Sequence, residues 1–395
     1  MNIKSIQQQL RTLNIDGWLL YEFHGKNPLA LEVLQLPEGI LMTRRCFYWI
    51  PKEGNPIKIV HQIEAHNLDH LEGDKKSYFS FQEMQRVLGE ILKGMKTVAM
   101  EYSPLQAIPT VSVVDGGLID LVRSFGVEVV SSAPLLQPLT SIWTEKQYAL
   151  HHKAAKVLEW AVTASWKLIE TRLLSGEAID EYEVQTLILD HFEKENCVTE
   201  GKPICAVNAH SADPHYIPTK KRSSPIQRGD FVLIDLWCKK NEAEAVFADI
   251  TRVGVAAPSP TPKQQEVFTL VREAQRVGTD LIKRRMEEGK EVMGAEVDAA
   301  VRAVIEKGGY GSYFTHRTGH HIHTENHGPG ANLDSIETED TRPLIPKTCF
   351  SIEPGIYLPG EFGVRLEYDV YLHQDRKVEI TLPPQDALVV MEKLG

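Results

Sequence analysis

Cysteine is scarce and badly placed for cross-linking. The five thiols, Cys46, Cys197, Cys205, Cys238 and Cys349, are odd in number, scattered and free of any C-x-x-C pairing. That pattern excludes a disulfide framework and a thiolate zinc site, and reduced thiols are the expectation. Long apolar runs are missing as well: no stretch approaches membrane-spanning length, and the opening "MNIKSIQQQLRTLNIDGWLL" lacks the apolar core of a signal peptide. The expectation is a soluble, cytoplasmic protein without a membrane partner. Basic tracts are absent, and a formal charge of -11 disfavours nucleic acid as a partner. No repeat or low-complexity tract is visible.

What remains is an ordinary globular composition, 42% hydrophobic and 25% charged, over 395 residues. That length predicts two domains of unequal size. Residues 1–140 read as a small α/β domain: an amphipathic opening helix, the run "IDGWLLY", and two strands in "CFYWIPKEGNPIKIVH" around a Gly-Asn-Pro turn. "SSAPLLQPL" reads as a linker from its Ser and Pro content. Residues 144–395 then open with a long helix in which Thr144 and Gln147 fit a capping box and Gly176 a stop. A second helix start lies at Thr261, Pro262 and Gln264. Strand candidates "GDFVLIDLW", "AVFADITRVGV", "TCFSIEP" and "GVRLEYDVYLH" complete a fold class of α/β type, more fully α+β, with helices laid over a largely antiparallel sheet.

Four of those strand-like runs contain a carboxylate where apolar residues belong: Asp235 in "FVLIDLW", Asp249 in "VFADITRV", Glu353 in "CFSIEPG" and Glu367 in "GVRLEYDV". Burying an unpaired carboxylate is costly. Each alone fits a salt-bridged or edge position, whereas a shared divalent-metal site accounts for all four together. Period-two geometry predicts that Arg365, Glu367 and Asp369 share one polar face. Hard oxygen donors with one imidazole suit manganese, or iron or cobalt, better than zinc held by thiolates. Two ions sharing four carboxylates would clamp a bridging water, lower its pKa towards ~7 and polarise a scissile carbonyl.

The window "THRTGHHIHTENHGPG" holds five of the chain's fifteen histidines: His316, His320, His321, His323 and His327. With the strand motifs it resembles the pita-bread metallopeptidases, the family of aminopeptidase P, prolidase and methionine aminopeptidase. The resemblance covers the chain from about Thr144 onward. It implies five metal ligands in order, Asp235, Asp249, His320, Glu353 and Glu367, holding two divalent ions, Mn2+ first, with Co2+, Fe2+ or Zn2+ as alternatives. It also implies that residues 1–140 form the creatinase-like leading domain of the aminopeptidase P and prolidase branch. Glu353 is then the general base, and His327 contacts the substrate carbonyl or the tetrahedral intermediate. His316 lines the pocket for the residue after the scissile bond, His215 in "DPHYIPT" lies near the leaving amine, and Arg365 orients a carboxylate in the site. The implied partner is a peptide or dipeptide with proline second, and the implied assembly a homodimer or homotetramer.

Three departures from the family pattern stand out. "GHHIH" replaces the common "GHGIG", which makes the pocket wall bulkier unless His321 and His323 are absorbed by local reshaping. "RLEYD" replaces "RIEDD". The connection "LWCKKNEAEAVFA" between the two aspartates is long, and a strand bulge or a longer turn would reconcile it. The expected activity is hydrolysis of an N-terminal Xaa-Pro bond; the alternative is a catalytically divergent protein of the same fold, a creatinase-like hydrolase or a peptide- or partner-binding module.

Overall fold

Strands that are almost continuously apolar, such as "GWLLYE" and "CFYWIP", suit sheets covered on both faces. The computed structural model describes residues 2–37 and 39–394, in two units, Met1–Thr140 and Ser141–Gly395.

In the first unit, β1 (Gly17–Glu22), β2 (Cys46–Pro51), β3 (Ile57–His61), β4 (Asp74–Tyr78), β5 (Thr97–Met100) and β6 (Glu128–Ser131) form one sheet in the order β4-β3-β2-β1-β5-β6. The helices are α1 (Ile3–Thr12), α2 (Pro28–Leu34), α3 (Phe81–Leu92), α4 (Gly116–Ser124) and α5 (Ala133–Thr140). Alternation along the strands sorts the core into two layers. Trp18, Leu20, Tyr48 and Ile50 pack with α1, α2 and α5. Leu19, Tyr21, Phe47 and Trp49 pack with α3 and α4. The expected linker is corrected here: from Ala133 onward "SSAPLLQPL" is helical, because Ala133, Leu135 and Leu136 are buried in the first of these layers. The apolar residues decide the structure, and Pro138 is carried inside the helix.

In the second unit, α6 (Glu145–Ser175) starts at the Thr144–Gln147 capping box and stops at Gly176, whose φ of 75° suits glycine. It is followed by α7 (Glu181–Lys194), β7 (Cys197–Val198), β8 (Ile204–Val207), β9 (Phe231–Lys240) and β10 (Ala248–Val255). Then come α8 (Pro262–Glu287), which opens with the Thr261–Gln264 capping box, and α9 (Gly294–Lys307). The chain continues with β11 (His321–Ile322), β12 (Cys349–Ile352), β13 (Gly355–Leu358), β14 (Phe362–Arg365), β15 (Tyr368–Leu372), β16 (Val378–Ile380) and β17 (Val389–Val390). One sheet runs β17-β10-β9-β7 with β8 also on β9, a second runs β11-β12-β15-β16, and β13 pairs with β14. Of these pairings only β10 with β17 is parallel among the described residues.

The strand pair β9–β10 positions the site. Val232, Ile234, Leu236, Ala248 and Ile250 pack against α6 and α7. Phe231, Leu233, Val253 and Val255 face the opposite way, into the core with α8 and α9. By strict alternation Asp235, Trp237, Asp249 and Thr251 continue that second face. Asp235 lies opposite Thr251 and Trp237 opposite Asp249 in an unbroken ladder from Cys238 to Phe231. The extra length between the aspartates therefore sits in the turn, and the strands carry no bulge.

"GVRLEYDVYLH" does not form the single strand expected. β14 ends at Arg365 and β15 begins at Tyr368, because Leu366 N donates to Pro354 O and Glu367 N to Thr251 O as the chain passes from one sheet to another. Arg365 and Glu367 line a common cavity. Asp369 is instead fully buried behind it, accepting from Asp249 N at 2.8 Å.

Candidate active site

A cavity of about 980 Å3 opens where the inner face of β9–β10 turns from apolar to acidic. All five expected ligands line it, as do His215, His316, His327 and Arg365. Ligand atoms of Asp249, His320 and Glu367 lie within 4.8 Å of one another. His320 Nε2 is 3.8 Å from Asp249 Oδ2 and 3.4 Å from Glu353 Oε1. Asp235 is tied to the group through Thr251, whose hydroxyl lies 3.0 Å from Asp235 Oδ1 and 2.7 Å from Glu367 Oε2.

The histidine segment is held from below by two residues of α9. Asp298, fully buried, accepts from Thr318 N and Thr318 Oγ1 at 2.9 and 2.6 Å. Arg302 donates to the carbonyls of Phe314 and His316. Gly319 runs so close to Ser351 O that a Cβ has no room, and this lets His320 N reach Ser351 Oγ at 3.0 Å. His320 thus stands at the start of a short strand, within reach of the carboxylates.

The electrostatics describe a cluster short of positive charge. Burial, reinforced by Asp235 and Asp369, pushes the Asp249 carboxyl well up. Burial, with Asp249 and Glu353 beside it, does the same to Glu367. Burial raises Glu353 to about 7, with Arg365 and Arg317 opposing and Asp235 adding to the rise. Burial holds the imidazoles neutral: His320 falls well below its usual range, His316 to about 3 and His327 to about 4. Arg365 bonds within the group, donating to Asp235 Oδ2 at 2.5 Å, Tyr357 OH at 3.0 Å and Thr251 Oγ1 at 3.1 Å. Asp249 Oδ1 is buried with no donor. A buried carboxylate oxygen without a partner, in a set of four carboxylates and one imidazole, fits a hard divalent cation.

The other histidines divide by position. His327 stacks edge-on against His320 at 4.3 Å and faces the cavity. His316 lines the cavity with both ring nitrogens engaged, Nδ1 with Arg317 O at 2.7 Å and Nε2 with Tyr357 OH at 2.6 Å. His215 is exposed at the rim, on a loop anchored by the fully buried Glu181. That carboxylate accepts from Val207 N, Ser224 N, His210 Nδ1 and Tyr216 OH. His321 and His323 do not widen the pocket wall. They stack on each other away from the cavity, and His321 Nε2 bonds to Ser141 O at 3.1 Å. Thr251, Tyr357, Asn326 and Glu181 are site residues that sequence reasoning missed. Thr251 and Asn326 lie inside the quoted motifs "VFADITRV" and "THRTGHHIHTENHGPG", but nothing local marks their roles, because the groups they bond lie far away in the chain.

Residues 149–374 match the model of metallopeptidase family M24. The chain belongs to this family, and it is a metallopeptidase and so a hydrolase, of the pita-bread fold. Among its relatives, an Xaa-Pro dipeptidase of Pyrococcus furiosus is 32% identical over 376 residues, covering 93% of this chain and 92% of that one. A prolidase structure from Thermococcus sibiricus superposes with a TM-score of 0.58 at 24% identity over 98% of both chains. A structure of dipeptidase PepE from Mycobacterium ulcerans gives 0.63 at 22%, over 98% of this chain and 96% of that one. At those identities the two structures speak for the fold alone. Among the described residues, no helix is long and apolar enough to cross a membrane.

Proposed function

We propose that this metallopeptidase is a dinuclear exopeptidase that hydrolyses the Xaa-Pro bond at a peptide's N-terminus, as an aminopeptidase P or an Xaa-Pro dipeptidase. The observation that carries the reading is the convergence of Asp235, Asp249, His320, Glu353 and Glu367 on one cavity with a buried carboxylate oxygen left unpaired. The specificity for proline is supported by the Xaa-Pro dipeptidase relative that matches nearly the whole chain. That match also supports reading residues 1–140 as the leading creatinase-like domain.

The five residues would hold two divalent ions, manganese first on the hardness of the donors, which when bound supply a Lewis acid and a water of lowered pKa. Glu353 is the general base: its carboxylate accepts a proton from the attacking water and returns it to the departing proline nitrogen. That return is required because the nitrogen of a scissile amide must gain a proton to leave as an amine. His327, neutral and facing the cavity, donates to the oxygen on which charge develops, and His215 serves the leaving amine. His316 is a fixed wall for the prolyl ring, its nitrogens already engaged. Arg365 orients Asp235 and so the ligand set. The protein is further read as cytoplasmic and as a homodimer or homotetramer; a solution mass near the chain's 44.5 kDa by light scattering overturns the oligomer.

The test is to strip the protein with chelator, restore manganese, and assay an Xaa-Pro dipeptide, an Xaa-Pro-Yaa tripeptide and an Xaa-Ala control. Cleavage confined to proline peptides is the expected result. No cleavage by protein with two bound metal equivalents overturns the reading.

A further inference from the structure

Part of the wall of the same cavity is built by residues that the chemistry above leaves unused. Trp237 stands directly across the ladder from Asp249. Its half-buried indole lines the cavity and is pinned by a 2.5 Å bond from Nε1 to Glu200 O. Beside it lie the carboxylates of Glu200 and Glu325, both exposed and both facing the same space. Among the described residues neither forms an ion pair with any Lys, Arg or His. Asn326 closes the group: its Nδ2 donates to Asp249 Oδ2 at 2.8 Å and its backbone N lies 3.3 Å from Glu200 Oε2. The side chain is only 8% exposed, yet its Oδ1 has no donor at all.

An indole face, two unpaired carboxylates and a buried carbonyl oxygen that lacks a donor make complementary demands. The aromatic face and the carboxylates attract a cation, and the amide oxygen needs an N–H. The cavity as a whole carries eight carboxylates against two guanidiniums, an excess that two divalent ions do not neutralise. An apolar N-terminal residue brings only its α-ammonium to meet these demands. An ammonium or guanidinium on a flexible apolar stem meets them, its stem lying along Trp237.

We propose that Trp237, Glu200, Glu325 and Asn326 form the subsite for the residue before the scissile bond, and that it selects lysine or arginine there. This rests on the Xaa-Pro reading above for the position of the scissile bond, but the cation preference can be measured without turnover. On the manganese-loaded full chain, calorimetric titration with L-lysinamide and L-norleucinamide compares two ligands with the same α-ammonium, of which only one carries a charged side chain. Lysinamide is expected to bind at least about tenfold more tightly, with the gap narrowing in Glu325→Gln and again in Glu200→Gln. The ratio of kcat/KM for Lys-Pro over norleucyl-Pro is expected to follow the same order. Equal binding of the two amides means that the cation received is the α-ammonium, and it overturns the assignment whatever the peptides do. A lysinamide preference that is unchanged in both variants also overturns it. A preference that collapses in the variants, in a protein that cleaves no Xaa-Pro peptide, supports the subsite and overturns only the reaction.

Discussion

Both units bury carboxylates, and the first unit and the cavity of the second do so in opposite ways. In the first unit each buried acid comes with donors. Glu64 accepts from Thr43 N, Thr43 Oγ1 and Arg44 N, and these bonds outweigh its burial and leave its pKa below the usual range. Glu22 accepts from Lys26 N and Asn27 N. Glu101, completely buried, accepts from Trp18 Nε1 at 2.7 Å and Asn27 Nδ2 at 2.8 Å; burial still dominates and lifts it to about 7. In the second unit Glu181 and Asp298 are supplied in the same way, but at the cavity the acids come with one another. Asp249 and Glu367 are raised well above their normal range by burial and by neighbouring carboxylates, and Asp249 Oδ1 and Asp369 Oδ1 find no donor among the described residues. An acid buried to hold a fold together is supplied with N–H and O–H groups. An acid buried beside other acids is stable only if a cation completes it.

The largest effect that could break this contrast is at Asp249. Asp249→Ala in the manganese-loaded protein is expected to lose one metal equivalent by elemental analysis and more than ~100-fold of peptidase activity; unchanged metal content would remove Asp249 from the ligand set. Next comes Glu101, the buried acid of the first unit that burial lifts to about 7. Its folded pKa of about 7 lies above its ordinary 4.5, so the fold favours the protonated form. Its stabilising contribution is complete below pH 4.5 and is lost as the pH rises through 7, on the order of 3 kcal/mol in all. Denaturant melts at pH 5 and pH 8 should show this difference in the wild type and a flattened one in Glu101→Gln, and equal slopes in the two proteins would contradict it.

The candidate ligand set was legible because it violates a pattern. A carboxylate inside "FVLIDLW" or "CFSIEP" contradicts the strand around it, and four such contradictions in one chain have one economical cause. The capping boxes at Thr144 and Thr261 were legible because every partner lies within four residues. What depended on distant pairing was hidden. Ser and Pro made Ala133–Thr140 read as a linker, although the sheet core it packs against lies more than a hundred residues upstream in part. The break at Leu366 and Glu367 follows from Thr251 O and Pro354 O capturing two backbone N–H groups, which no local periodicity reveals. Asn326 and Thr251 carry no motif of their own, and their importance appears only when Asp249 and Asp235 stand next to them.

A smaller effect tests the same idea from the side of stability. In metal-free protein Asp249→Asn removes one of the mutually repelling charges, or the need to protonate it, and keeps the side chain's shape. The variant should be more stable than wild type by about 1–2 kcal/mol in chelator, and should lose that advantage when manganese is added. A destabilised apo variant would mean that Asp249 is held as a structural acid, like Glu64.

The smallest expected effect belongs to a third kind of carboxylate, one with a cationic partner and no burial. Glu361 receives Lys263 Nζ at 2.7 Å on both oxygens, with about half of each side chain exposed. By geometry alone this pair is better made than anything around Asp249. Yet water solvates both charges when they separate, and salt screens them when they do not. Glu361→Gln should leave the melting temperature where it was, at low and at high ionic strength alike. A clear loss there would show that hydrogen-bond count, rather than withdrawal from water, governs what a carboxylate does in this protein, and the contrast between the two units would then need a different cause.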